Sequence, residues 1–168
     1  MEPVKIGLLG LGTVGGGTVT VLTRNRDEIA RRAGRDIMIS HAAAKAFRRE
    51  AIEGIDEIPR ISDDAWQVVA DPEVAIVVEL IGGYSPAREL VLQAIENGKH
   101  VVTANKALLA RHGNEIFAAA HAKGVMVAFE AAVAGGIPII KALREGLTAN
   151  RIASFAPTTR AASPASGN

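Results

Sequence analysis

Near the start of the chain, Gly10-Leu11-Gly12-Thr13-Val14-Gly15 has the spacing G-x-G-x-x-G. Phosphate binding is the chemistry such a run offers. Gly10 permits a tight turn, Gly12 lets backbone approach a pyrophosphate, and Gly15 lets a helix pack closely on a strand. A helix opening at Thr13 and Val14 adds free N–H groups and positive potential, both of which favour phosphate. A turn that merely packs tightly is the plain alternative. The position of the run between an apolar stretch and a helical one decides for a dinucleotide.

Which dinucleotide depends on the end of the next strand-like stretch, DIMISHAAAKAFRRE. An Asp or Glu there would hydrogen-bond ribose hydroxyls, but Asp36 stands at the opposite end. Past the stretch come Lys45, Arg48 and Arg49, which suit the extra 2′-phosphate of NADP; an ordinary solvated basic turn fits them equally well. Thr103-Ala-Asn-Lys106 carries a lysine at the edge where cofactor and substrate should meet. Lys106 could hold a phosphate or carboxylate, or act as an acid if partly buried. A solvent lysine on the first turn of a helix is the even alternative.

Two carboxylates stand in apolar surroundings. Glu79, inside AIVVELIGG, is costly there unless hydrogen-bonded, and reads as an anchor for loop N–H groups. Glu130 opens FEAAVAGGIPII, whose Ala131 to Gly136 bring no bulky polar side chain. A carboxylate with backbone carbonyls is an oxygen set that hard cations take. A Glu capping a helix that begins at Pro138 is the competing reading, and the residues alone favour it. His41, His100, His112 and His121 show no ligand spacing, and no Ser–His–Asp arrangement can be argued.

The elements that must position these groups alternate. Val4 to Leu9 reads as a strand buried on both faces. Thr13 to about Arg32 predicts a helix with Val14, Val19, Leu22 and Ile29 toward the core. Asp36 to Ala43 is a second strand, and Ser62 begins a short helix as its cap. Ala75 to Ile81 is a third strand, ended by Gly82-Gly83. Ser85 then caps a helix with Pro86 first and Leu90, Val91, Ala94 and Ile95 on one apolar face, stopped at Asn97-Gly98. His100 to Thr103 is a fourth strand, a helix through Glu115 to Ala122 ends at Gly124, Val125 to Phe129 is a fifth, and Pro138 to Leu147 is a further helix. This alternation predicts an α/β fold, a Rossmann-type doubly wound parallel sheet, over residues 1–152. From about Ala153 the segment SFAPTTRAASPASGN has no periodicity and predicts a disordered tail, 153–168.

Composition narrows the classes. At 168 residues and 48% hydrophobic the chain can bury a real core, and one domain is the prior. Nineteen basic against 18 acidic residues leave a net charge of +1, and with 4% aromatics there is no basic stripe for nucleic acid. The absence of cysteine excludes disulfides, thiolate catalysis and Cys-based zinc sites. No apolar run approaches membrane-spanning length, and MEPVKIGLLG lacks the pattern of a signal peptide. A cytoplasmic protein without membrane or nucleic-acid partners is the expectation.

The run VVELIGG…PARELVLQAIENGKHVVTANKALLARHGNEIFAAA…FEAAVAGGIPIIKALREGL, with GLGTVGGG before it, resembles the N-terminal half of homoserine dehydrogenase over roughly Val4 to Asn150. The resemblance implies a reaction: NAD(P)-dependent interconversion of L-homoserine and L-aspartate 4-semialdehyde, on the route to threonine, methionine and isoleucine. It implies that Lys106 lies at nicotinamide and substrate, binding cofactor and transferring a proton, and that Gly82 and Thr103 join the cofactor contacts. It further implies a sodium ion held through Glu130, Val133, Gly135 and Ile137, and a contact of Lys45 with the 2′-phosphate. The local pattern AAAK departs there from the family's more usual ending with Arg-Asp.

The likeness stops after GLTANRI. The family continues into a substrate-binding and dimerising region, and here ASFAPTTRAASPASGN follows instead. A premature stop, a shifted reading frame or a deliberate truncation would each give such an ending. The expectation is therefore a cofactor half with weak or absent turnover of homoserine and without the family's dimerising elements. A non-catalytic NADP-binding module is the alternative, as is another small-substrate amino-acid dehydrogenase, against which FEAAVAGGIPII argues.

Overall fold

A computed structural model describes residues 2–133, 138–142 and 145. The predicted tail, Gly135 and Ile137, and part of the predicted helix from Pro138 to Leu147 lie outside the described residues.

Among the described residues, six strands form one parallel sheet in the order β3-β2-β1-β4-β5-β6. They are β1 (Val4–Leu9), β2 (Ile37–Ala43), β3 (Arg60–Ser62), β4 (Ile76–Glu79), β5 (His100–Thr103) and β6 (Val127–Ala128). The helices are α1 (Thr13–Arg24), α2 (Arg26–Ala33), α3 (Ala65–Ala70), α4 (Ala87–Glu96), α5 (Lys106–Lys123) and α6 (Ile139–Lys141). The pleat of β1 sends Ile6 and Leu8 to one face and Leu9 to the other, so each face has its own core. Ile6, Leu8, Ile39 and Ala42 pack with Val19 of α1 and with Ile52, Ile55 and Ile58. Leu9, Val77, Val101 and Val127 pack with α3, α4 and α5. The predicted face of α4 is buried throughout, and Leu90, Val91 and Ile95 each contribute about 1.5–3 kcal/mol. Among the described residues no helix is long and apolar enough to cross a membrane.

Several expectations need correction. The helix predicted from Thr13 to Arg32 is two helices. Asn25 leaves helical geometry at φ −108°, ψ 19°, and α2 restarts with Asp27 and Glu28 in its first turn, where acids suit the helix dipole. Val14 does not face the core but is 58% exposed in the first turn of α1. The stretch before α3 holds a sixth strand, β3, too short to show as an apolar run; its backbone pairs with β2 from His41 to Ala43. Asp64, not Ser62, caps α3, accepting from the Trp66 N–H at 2.9 Å. Ser85 caps nothing, and α4 begins after Pro86 without a side-chain cap. The helix predicted from Glu115 reaches back to Lys106.

Candidate functional site

The chain leaves β1 for α1, while the strand on β1's other side is β4, so the winding reverses at their carboxyl ends. Such a crevice is where open α/β sheets take ligands. Gly10 turns the chain there with φ 100°, and its N–H donates to the Ala43 carbonyl at 2.8 Å. A Cβ on Gly10 would stand 2.8 Å from the Leu80 carbonyl oxygen, and one on Gly15 2.0 Å from the Gly10 oxygen. Both glycines are demanded by packing. Gly12 is not: a Cβ there meets nothing within 4 Å, and its φ of −72° is open to any residue. The glycine keeps space clear rather than filling it.

Above Gly12 the first turn of α1 has no side-chain cap, whereas Asp64 and Asn105 cap α3 and α5. The amides of Thr13, Val14 and Gly15 thus open a twelve-residue helix without a side-chain acceptor, an anion-binding arrangement. A pocket of about 740 Å³ adjoins this turn, lined by Gly12, Thr13, Gly16, Phe47, Arg48 and Ile52 among others. The residues present fit a dinucleotide phosphate group.

The cations past β2 separate in the structure. Arg49 is bound to Asp56, its Nη2 2.6 Å from Oδ1. Lys45 and Arg48 are exposed without a carboxylate partner among the described residues. Arg48 lines the glycine-loop pocket; Lys45 is not among its lining residues. Asp36 sits at the amino end of β2, bonded to Arg26 at 3.1 Å from Nε, and so is removed from the site. Its carboxyl is held below the usual range, the Arg26 hydrogen bond outweighing burial.

The other half of the crevice is built on Glu79. Its Oε1 accepts from the N–H groups of Ile81 (2.9 Å) and Gly82 (3.0 Å), and its Oε2 accepts from the Thr103 hydroxyl at 2.6 Å. It anchors the loop, as its burial in a strand demands. Thr103 accepts in turn from the Asn105 N–H at 3.0 Å, so its hydroxyl both donates and accepts within the protein. Asn105 caps α5 through the Leu108 N–H at 3.0 Å and donates to the Gly83 carbonyl at 2.7 Å. Lys106 is the first residue of α5, exposed and without a carboxylate partner among the described residues. Gly82 and Gly83 take φ of 80° and 72° with open space where a Cβ would lie. Reading the sequence singled out neither Asn105 nor Phe47. Asn before a lysine-led helix is a capping signal that could have found the first; the second had none.

Glu130 caps α6. Its Oε1 accepts from the Ile140 N–H at 2.9 Å and its Oε2 from the Lys141 N–H at 3.1 Å. Val133 follows one turn on, its N–H donating to the Glu130 carbonyl at 3.2 Å. Among the described residues no group of three or more His, Asp or Glu could hold a metal. Of the histidines, His41 is buried against Asp71 at 3.0 Å and His100 accepts the Met126 N–H at 3.0 Å, both structural uses.

Residues 10–130 match the family described as homoserine dehydrogenase, NAD binding domain. The homoserine dehydrogenase of Pseudomonas aeruginosa is 64% identical over 152 residues, covering 90% of this chain and 34% of that protein. A crystal structure of a homoserine dehydrogenase from Thiobacillus denitrificans superposes with a TM-score of 0.82 at 67% identity, covering 90% of this chain and 35% of that one. A hyperthermophilic archaeal homoserine dehydrogenase, solved in complex with NADPH, shares the fold at a TM-score of 0.70 and 23% identity. The chain spans about a third of the length of the curated relatives it matches. The match over residues 10–130 and this likeness along nine-tenths of the chain agree with the glycine-loop fold: the chain belongs to the homoserine dehydrogenase family, in its NAD-binding domain.

Proposed function

We propose that the chain is the cofactor-holding part of an NAD(P)-dependent homoserine dehydrogenase, interconverting L-homoserine and L-aspartate 4-semialdehyde in the cytoplasm. The observation that carries this reading is Gly12, a glycine with open space above it beside uncapped amides. Bound there, a nicotinamide dinucleotide supplies a hydride. The chain's own residues hold it: Gly10, Gly12 and Gly15 shape the loop, and the amides of Thr13 and Val14 take the pyrophosphate. Arg48 and Lys45 supply positive charge for a 2′-phosphate, and Arg48 has the stronger claim through its place in the pocket wall. Lys106, at the head of α5, holds the proton for the substrate oxygen, and the loop at Gly82 and the end of β5 at Thr103 flank the nicotinamide end.

A sodium ion at Glu130, Val133, Gly135 and Ile137 belongs to the same proposal. One carboxylate with backbone carbonyls is a donor set that hard cations accept. Glu130 already bonds two helix amides, so an ion would use the remaining lone pairs of its oxygens.

The test is a fluorescence titration of the purified chain with NADPH and with NADH, repeated on Arg48→Ala. Saturable binding that favours NADPH, with the preference lost in the variant, is the expected result. No binding of either nucleotide would overturn the proposal.

A further inference from the structure

The two glycines of the loop after β4 have little packing of their own, although Tyr84 beyond them lies edge-on to His112 and under Arg111 of α5. Gly82 and Gly83 are both left-handed, both have open space on the side a Cβ would occupy, and the flanking Ile81 and Tyr84 are 41% and 45% exposed. Two buried groups grip its backbone. From below, Glu79 takes the Ile81 and Gly82 N–H groups; from the side, the Asn105 amide takes the Gly83 carbonyl. Thr103 joins the two grips, donating to Glu79 and accepting from Asn105. Glu79 and Thr103 are fully buried and Asn105 is 7% exposed, so the two bonds that join them through Thr103 are shielded from water and a partner lost there is not replaced, while the bonds out to the loop are partly buried. The residue after Asn105 is Lys106.

We infer that the Glu79–Thr103–Asn105 relay is a positioning device: it sets the spacing between the 82–83 loop and the Lys106 end of α5, and so shapes the seat of the nicotinamide half of the dinucleotide. This rests on the dinucleotide reading proposed above. The relay lies on the β4–β5 side of the crevice, while the glycine loop and Arg48 lie on the β1–β2 side. It acts on the nicotinamide end and leaves the adenosine end alone. Thr103 is thereby a positioning residue rather than one whose hydroxyl touches the cofactor.

The experiment compares wild type, Thr103→Val, Thr103→Ser and Asn105→Asp by calorimetric titration. The probes are NADPH and adenosine 2′,5′-bisphosphate, which lacks the nicotinamide half. Asn105→Asp keeps the oxygen that caps Leu108 and exchanges the donor to Gly83 for a charged acceptor that cannot make that bond, which serves if Thr103→Val does not fold. Thr103→Val and Asn105→Asp should weaken NADPH about tenfold and leave the bisphosphate within about twofold, while Thr103→Ser restores NADPH binding. Equal loss of both probes would mean general destabilisation and overturn the inference. Unchanged NADPH binding in a folded variant would overturn it too. Failure of the wild type to bind either probe would instead overturn the dinucleotide reading beneath it.

Discussion

Substituting Gly15 by Ala should destabilise the chain, and substituting Gly17, two residues along the same helix, should stabilise it. A Cβ on Gly15 would lie 2.0 Å from the Gly10 oxygen and 2.8 Å from the Gly10 carbonyl carbon, both backbone atoms. Gly10 cannot yield readily. Its N–H is bonded to Ala43, and its own Cβ position faces the Leu80 carbonyl at 2.8 Å. Relief would need a backbone shift of about 1 Å between α1 and β1, in a core where overpacking costs about 1–3 kcal/mol when side chains can move. With none to move, the upper end, about 3 kcal/mol, is expected. At Gly17 a Cβ meets nothing within 4 Å, so Ala should gain about 0.5–1 kcal/mol from helix propensity and reduced unfolded-state entropy. For a chain of this size each kcal/mol moves Tm by about 2–4 °C. Thermal melts followed by circular dichroism should therefore show Gly15→Ala lower by about 6–12 °C and Gly17→Ala slightly higher. A Gly15→Ala protein as stable as wild type would refute the close-approach argument.

Acid should unfold the chain partly through Asp71. Burial pushes its carboxyl up, but the Glu73 amide, His41 and Arg60 outweigh it and hold it below the usual value. A depressed carboxyl contributes stability above its unfolded pKa and loses it as pH falls through the folded one, so melting temperature should drop below about pH 4. Asp71→Asn should make that drop shallower, and an unchanged slope would count against it. At the Glu130 loop, sodium chloride should raise Tm above that in choline chloride at equal ionic strength; equal curves would argue against an ion there.

Much of the fold was legible because its signals are local. Val4–Leu9 and His100–Thr103 are apolar runs ended by turn or cap residues, and the observed bounds coincide with the predicted ones. β3 was not legible, since three residues make no run and only pairing with β2 defines them. The break at Asn25 and the cap at Asp64 hinge on single-residue competition that tertiary packing decides. The turn at Gly10 and the close approach at Gly15 could be read because the glycine spacing is a local signal. The Glu79 anchor was half legible: a carboxylate in an apolar strand demands partners, but Thr103 and Asn105 are more than twenty residues away, and only the register of β4 on β5 brings them together. Among Lys45, Arg48 and Arg49, composition could not tell which would be neutralised; Asp56 decides it for Arg49.

If Gly12 is a glycine for the sake of a bound phosphate, a methyl added there should disturb the ligand and not the fold. Titrating wild type and Gly12→Ala with NADPH, alongside their melting curves, tests it most directly. An added methyl meets no protein atom within 4 Å, so the substitution should cost at most about 1 kcal/mol through helix capping. Near-wild-type melting with NADPH affinity lowered at least about tenfold is the expected result. Wild-type affinity in the Ala variant would contradict it.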